Sequence, residues 1–227
     1  VCGRFTQYHT WAEIHALYRL TITDRGRNTE ARYNIAPTQD VTFITAGDDG
    51  YHKVREGRWW LVPFWAKELP KFTLFNARSE DADSKPAFRD SFKAKRCLIP
   101  ADGFYEWSKG EDGEKDPWHI HLPEHQPFSF AGLWAYNQAL DVTSCTILTA
   151  AAQEPMKQLH DRQPIILDPS VYDAWLDPST SVSGAKDLLK SDLDGSLEFY
   201  RVNRAVNSST KDRRRNDNAN MIEPLAA

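Results

Sequence analysis

Apolar residues first recur on a helical period over residues 10–18, where Ile14, Leu17 and Tyr18 share one face. Thr10 stands before this run with Glu13 three residues on, the spacing of a capping box, so a helix is predicted to begin there. Pro37 forces Ala36 into extended backbone after Tyr33-Asn34-Ile35, and residues 41–44 read as a strand that ends at the turn 47–50. Later apolar runs predict strands at 57–62, 96–100, 118–121, 128–134, 146–149, 165–167 and 197–201. Shorter helical stretches are predicted at 85–92, 155–159, 169–176 and 185–189. Strands outnumber helices and do not alternate with them. The expected class is therefore α+β, a curved, barrel-like, mainly antiparallel sheet flanked by short helices, rather than a doubly wound fold.

A chain of 227 residues with 41% hydrophobic and 12% aromatic content has enough apolar surface for a substantial core. No repeat and no Pro-, Gly- or Ser-rich linker divides it, so a single domain over 1–227 is expected. The charged run Lys211 to Asp217 lacks apolar periodicity and predicts a flexible basic loop near 207–219. No signal peptide and no membrane-spanning run is evident, and the expected location is the cytoplasm, in association with the nucleoid. Cys97 and Cys145 lie in apolar runs and are expected to be buried reduced thiols. A net charge of −4 argues mildly against nucleic-acid binding, yet Lys85, Arg89, Lys93, Lys95 and Arg96 form one basic stretch. Trp59, Trp60, Phe64 and Trp65 cluster around Pro63. Most are expected in the core, although an exposed aromatic beside a basic region suits the unstacking of a nucleic-acid strand.

Candidate chemistry begins at Cys2. A cysteine exposed at an N-terminus offers an amine and a thiol on adjacent carbons, and the pair closes on an aldehyde as a five-membered thiazolidine. An internal cysteine has an amide nitrogen, whereas a free α-amino group titrates at about 7.7–8.0 and is partly unprotonated near neutrality. Val1 precedes Cys2, so this chemistry requires that residue to be removed. In Leu74-Phe75-Asn76-Ala77-Arg78, strand period sends Asn76 and Arg78 to one face, suited to a sugar oxygen beside a phosphate; a half-exposed strand with a surface ion pair is the ordinary alternative. Glu106 lies between Tyr105 and Trp107 after a break at Asp102-Gly103. It is either a desolvated carboxyl able to give and take a proton or an exposed glutamate on an edge strand. His160 is a candidate acid or base and Arg162 a phosphate ligand, the alternative being a histidine that completes a helix C-terminus. His119 and His121 share a strand face with His125 nearby, but no cysteine or carboxylate completes a recognised spacing, and no metal is expected. Walker, dinucleotide and nucleophile-elbow patterns are missing, so no nucleotide cofactor is implied.

These stretches, from Cys2-Gly3-Arg4-Phe5 through Tyr33-Asn34-Ile35-Ala36-Pro37, Phe75 to Glu80, Lys85 to Trp107, Leu148 to Ala152 and His160 to Pro164, resemble the SOS response-associated peptidase family in order over some two hundred positions. The resemblance implies a protein that shields abasic sites in single-stranded DNA. Cys2 would form a thiazolidine with the ring-opened sugar, Asn76 would position sugar or amine, Glu106 would shuttle protons, and His160 would assist ring opening and reversal. It further implies that Arg4, Arg78 and Arg162 hold phosphates, that Pro37 and Trp65 wedge against bases, and that Asn34 and Thr149 belong to the DNA-contacting set. No cofactor or metal is implied, nor any membrane partner, and a monomer is expected. Trp60 and Gln163 depart from the usual pattern. The alternatives are a thiol peptidase or autopeptidase acting through Cys2, and a reader of damaged or modified DNA that binds without bonding.

Overall fold

The computed structural model describes residues 2–18, 30–47, 50–208 and 216–225. The helix predicted at Thr10 forms as α1 (Trp11–Tyr18). The Thr10 N–H and hydroxyl both donate to Glu13 Oε2 at 2.8 Å, and the Glu13 N–H returns to Thr10 Oγ1 at 3.3 Å, closing the box.

Strands β1 (Phe5–Gln7), β2 (Arg32–Ile35), β7 (Gly103–Lys109), β8 (Lys115–His121) and β12 (Glu198–Arg201) make an antiparallel sheet in the order β12-β8-β7-β1-β2. The second sheet contains β3 (Asp40–Ala46), β4 (His52–Trp59), β6 (Arg96–Ala101), β9 (Phe128–Asn137) and β10 (Val142–Ala151). Because β10 pairs with β4 at one edge and β9 at the other, these strands close into a ring. Beyond β4 and β9, β10 continues between β5 (Asn76–Arg78), which is parallel to it, and β11 (Arg162–Pro164), which is antiparallel. One strand therefore brings two distant segments, β5 and β11, to its own end.

Phe5, Ile35, Phe43, Trp59, Phe104 and Phe130 join the two sheets in one core. Leu61, Phe92, Leu98, Leu148 and Trp175 build another beneath α2 (Arg89–Ala94), α3 (Tyr172–Leu176) and α4 (Val182–Leu188). Each such side chain contributes roughly 1.5–3 kcal/mol on burial. Cys97 and Cys145 are buried and free, and burial raises both thiols.

Several boundaries differ from the sequence reading. The strand expected at 57–62 lies earlier, as β4, because Thr38 and Trp59 bond each other's turn and the chain then leaves the sheet. The helix expected over 85–92 starts later, as α2 (Arg89–Ala94) after turns at 85–88, and 155–159 shortens to a 3-10 turn at Met156–Gln158. The stretch 165–167 supplies isolated bridges, while the strand is β11 just before it. Arg96 leaves the basic stretch altogether. It is buried and donates to the carbonyls of Phe92, Lys93, Trp175, Asp177 and Thr180, tying the ends of α2 and α3 together. The expected loop near 207–219 and the turn 47–50 fall partly outside the described residues; Asn216 and Asp217 are ordered against β2.

Candidate active site

β1 enters the five-stranded sheet beside β7, with Phe5 opposite Phe104, and the Tyr105 N–H donates to Arg4 O at 3.0 Å. That antiparallel register carries the chain ahead of Phe5 towards Glu106. The main-chain N–H of Cys2 donates to Glu106 Oε1 at 2.5 Å, and Asn76 Nδ2 reaches Cys2 O at 3.4 Å from the end of β5. Residues 2, 76 and 106 thus meet through three strands. Beside them opens a cleft of about 520 Å³ lined by Gly3, Phe75, Glu106, Trp107, Lys109, Lys115 and His160, among others.

Glu106 is 3% exposed on an interior strand, so the edge-strand alternative does not hold. Burial raises its pKa above the usual carboxylate range, with the Cys2 N–H and the nearby His160 pulling it partly back. Burial, then the charge of Glu106, pushes the Cys2 thiol well above its ordinary value. A thiol so placed is a poor thiolate but keeps its proton until a neighbouring base removes it. His160 follows a 3-10 turn rather than closing an α-helix, and its Nδ1 accepts from the Arg162 N–H at 3.0 Å.

Arg162 is held on both sides. It grips Glu80 through two nitrogens at 2.5 and 3.0 Å and donates to Thr149 O and Oγ1 at 2.8 and 3.1 Å. Thr149 is accordingly buried beneath Arg162. Gln163 is buried, accepting from Gln153 N–H at 3.0 Å and donating to Asp194 at 2.5 Å, which fixes the strand that presents Arg162. Arg78 is exposed on β5, and Arg4 is half-buried with Nη1 on Gly3 O at 2.9 Å; burial lowers its pKa.

Asn34 faces inward. Its Nδ2 serves the carbonyls of Val206, Ser208 and Asn216 at 3.2, 3.2 and 2.8 Å, so it fastens the C-terminal segment behind β2. Pro37 sits half-buried in the turn before β3, where Thr38 N–H meets Trp59 O at 3.0 Å. From Trp59 the chain runs directly into the 60–75 loop, on which Phe64, Trp65 and Phe72 are 57%, 51% and 60% exposed. The four aromatics around Pro63 therefore divide: Trp59 is core, Trp60 packs on Phe75, and Phe64 and Trp65 face solvent. Sequence reasoning missed Lys109, Lys115 and Glu80. The lysines lie on adjacent strands, opposite one another in the β7–β8 register, a pairing visible only once the hairpin is placed.

Residues 1–209 match the family model described as SOS response associated peptidase (SRAP). The Bacillus subtilis abasic site processing protein YoaM is 37% identical over 213 residues, 92% of this chain and 93% of that protein. The Escherichia coli abasic site processing protein YedK is 29% identical over 232 residues, covering 99% of this chain and all of that one. In structure, a Bacteroides thetaiotaomicron protein of 23% identity superposes with a TM-score of 0.80 over 99% of this chain and 100% of its own, a likeness of fold.

Proposed function

The chain belongs to the SOS response associated peptidase family, and from that premise we propose that it processes abasic sites in single-stranded DNA by bonding their ring-opened sugar to Cys2. The observation that carries the proposal is the 2.5 Å contact between the Cys2 nitrogen and Glu106, beside an open cleft. With the preceding residue removed, that nitrogen is an amine next to a buried carboxyl. The amine adds to the sugar aldehyde; Glu106 delivers a proton to the departing hydroxyl and one water leaves as the imine forms. The Cys2 sulfur then bonds the imine carbon, Glu106 accepts the thiol proton, and the ring nitrogen takes up a proton, so aldehyde and aminothiol yield thiazolidine and one water.

Asn76 orients the Cys2 main chain, and His160, at the cleft wall, assists opening of the sugar and reversal of the adduct. Arg4, Arg78 and Arg162 hold phosphates, with Lys109 and Lys115 adding positive charge along the cleft. Phosphate binding would keep the aldehyde beside Cys2 and replace a chance encounter with a high effective concentration. Pro37, half-buried, and the exposed Trp65 would meet the bases beside the lesion, while Thr149 and Asn34 act from behind, through Arg162 and the C-terminal segment.

The test is incubation of protein of verified Cys2 terminus with abasic single-stranded DNA, without borohydride. A covalent adduct of the summed masses less one water is expected. Lesion preference that survives Cys2→Ala with no adduct from the parent protein would instead identify a non-covalent reader.

A further inference from the structure

We propose that His119, His121 and His125 form a binding site for a divalent cation of imidazole preference, zinc foremost. One ring nitrogen from each of the three lies within 4.8 Å of the others. The site is independent of the reading given for Cys2, because it occupies the opposite face of the same hairpin. In the β7–β8 register His119 faces Tyr105, and Glu106 faces Trp118 one step along, so side-chain alternation sends the histidine and Glu106 to opposite sides.

Strand period puts His119 and His121 together, and the turn after β8 brings back the third ring. Glu124 and His125 adopt φ of 56° and 53°, a left-handed backbone that residues with a Cβ seldom take. This reversal stacks His125 on His121 at 4.0 Å between ring centroids. A tetrahedral zinc with nitrogens at about 2.0–2.1 Å needs them roughly 3.3 Å apart, so metal binding requires the rings to close in from the present spread of up to 4.8 Å, with the exposed His125 the one to move.

The surrounding hydrogen bonds select the ligating tautomers. Tyr200 O–H has its one proton on Ile222 O at 2.6 Å, so towards His119 Nδ1, 3.1 Å away, it accepts, and the proton of His119 lies on Nδ1. Nε2 is then a bare lone pair. It is fully buried and has no hydrogen-bond partner among the described residues, an arrangement native proteins rarely leave unexplained. His121 repeats the pattern, with Nδ1–H donating to Leu122 O at 2.7 Å and Nε2 left to coordinate. A backbone or hydroxyl acceptor on the distal nitrogen is the usual support of a metal-bound histidine. Gly103 belongs to the same design, since a Cβ built there would fall 2.2 Å from His119 Nε2. His125 is exposed, which leaves solvent or a fourth ligand access to the ion. Bound metal would fasten β8 to the following turn and, through Tyr200, to β12 and the segment 219–222.

The experiment titrates chelator-stripped full-length protein with zinc chloride by calorimetry. Cys2→Ala serves as the parent, because a free aminothiol would itself bind zinc. One site per chain is expected. Adding His125→Ala, on an exposed turn, should weaken it by roughly tenfold or more while the metal-free thermal melt stays in place. Cobalt substituted at the site should give a tetrahedral visible spectrum without thiolate charge transfer. Failure of the parent to bind zinc saturably, or unchanged affinity with His125→Ala, would overturn the assignment.

Discussion

The Cys2 main-chain nitrogen and the Glu106 carboxylate, 104 positions apart in the chain, lie 2.5 Å from each other. Glu106→Gln keeps the size and an acceptor for that N–H but removes the proton exchange. Adduct formation with abasic DNA should slow by roughly 10²- to 10⁴-fold, the usual range for losing an acid–base group, with the thermal melt little altered. A single-turnover time course on a denaturing gel measures it. An unchanged rate would remove Glu106 from the chemistry.

Asn76 holds the carbonyl side of Cys2 at 3.4 Å. Asn76→Ala should lower the rate of adduct formation more than it lowers non-covalent DNA affinity, since the lost contact orients the nucleophile rather than a phosphate. Comparing the maximal rate with the half-saturating DNA concentration separates the two effects.

Arg162 is neutralised by Glu80, whose pKa it lowers through their hydrogen bonds. A phosphate has to replace that carboxylate. Glu80→Gln should therefore tighten binding of abasic or intact single strands at low salt. Arg162→Ala should weaken it and flatten the plot of log affinity against log salt by about 0.7, the share of one phosphate on a single strand. Fluorescence anisotropy over a salt series reads both, and a slope that does not move with Arg162→Ala counts against a phosphate role.

Trp59 and Trp65 should respond in opposite ways. Trp59 is fully buried with Nε1 on Phe75 O at 2.9 Å, and Trp59→Ala should cost about 3–5 kcal/mol in urea unfolding. Trp65 is 51% exposed, so Trp65→Ala should leave the midpoint nearly unchanged. It should weaken single-strand binding by about 1–3 kcal/mol, the worth of one base stacked on an aromatic ring.

Asp194 adds a pH dependence. Burial, then the neighbouring Asp192, raises its pKa from 3.8 to about 7 in the folded protein. Between those values the native state keeps a proton that the unfolded chain has lost. The contribution is thus fully present below about pH 4, declines as pH rises, and is gone above about 7, with a slope of at most about 1.4 kcal/mol per unit. Asp194→Asn should flatten the curve of stability against pH over this window, as urea melts from pH 4.5 to 7.5 would record.

The helix start at Thr10, the buried run over β6 and its break at Asp102-Gly103 were all legible in the chain, because caps and apolar period act among neighbours. The ordered motifs likewise identified the family, and the excess of strands over helices the α+β class. Three-residue strands such as β1, β5 and β11 carry too few positions for a period; β1 found its partners in β2 and β7, and β5 and β11 found theirs along β10. The same chemistry in the sequence therefore met different fates. Arg96 became a core clamp, Asn34 a fastener of the tail, Glu80 the counter-charge of Arg162, and three histidines a single cluster. A side chain's type is written locally, but its partner depends on register and on which sheet edge a strand occupies, and those are set by contacts a hundred residues apart.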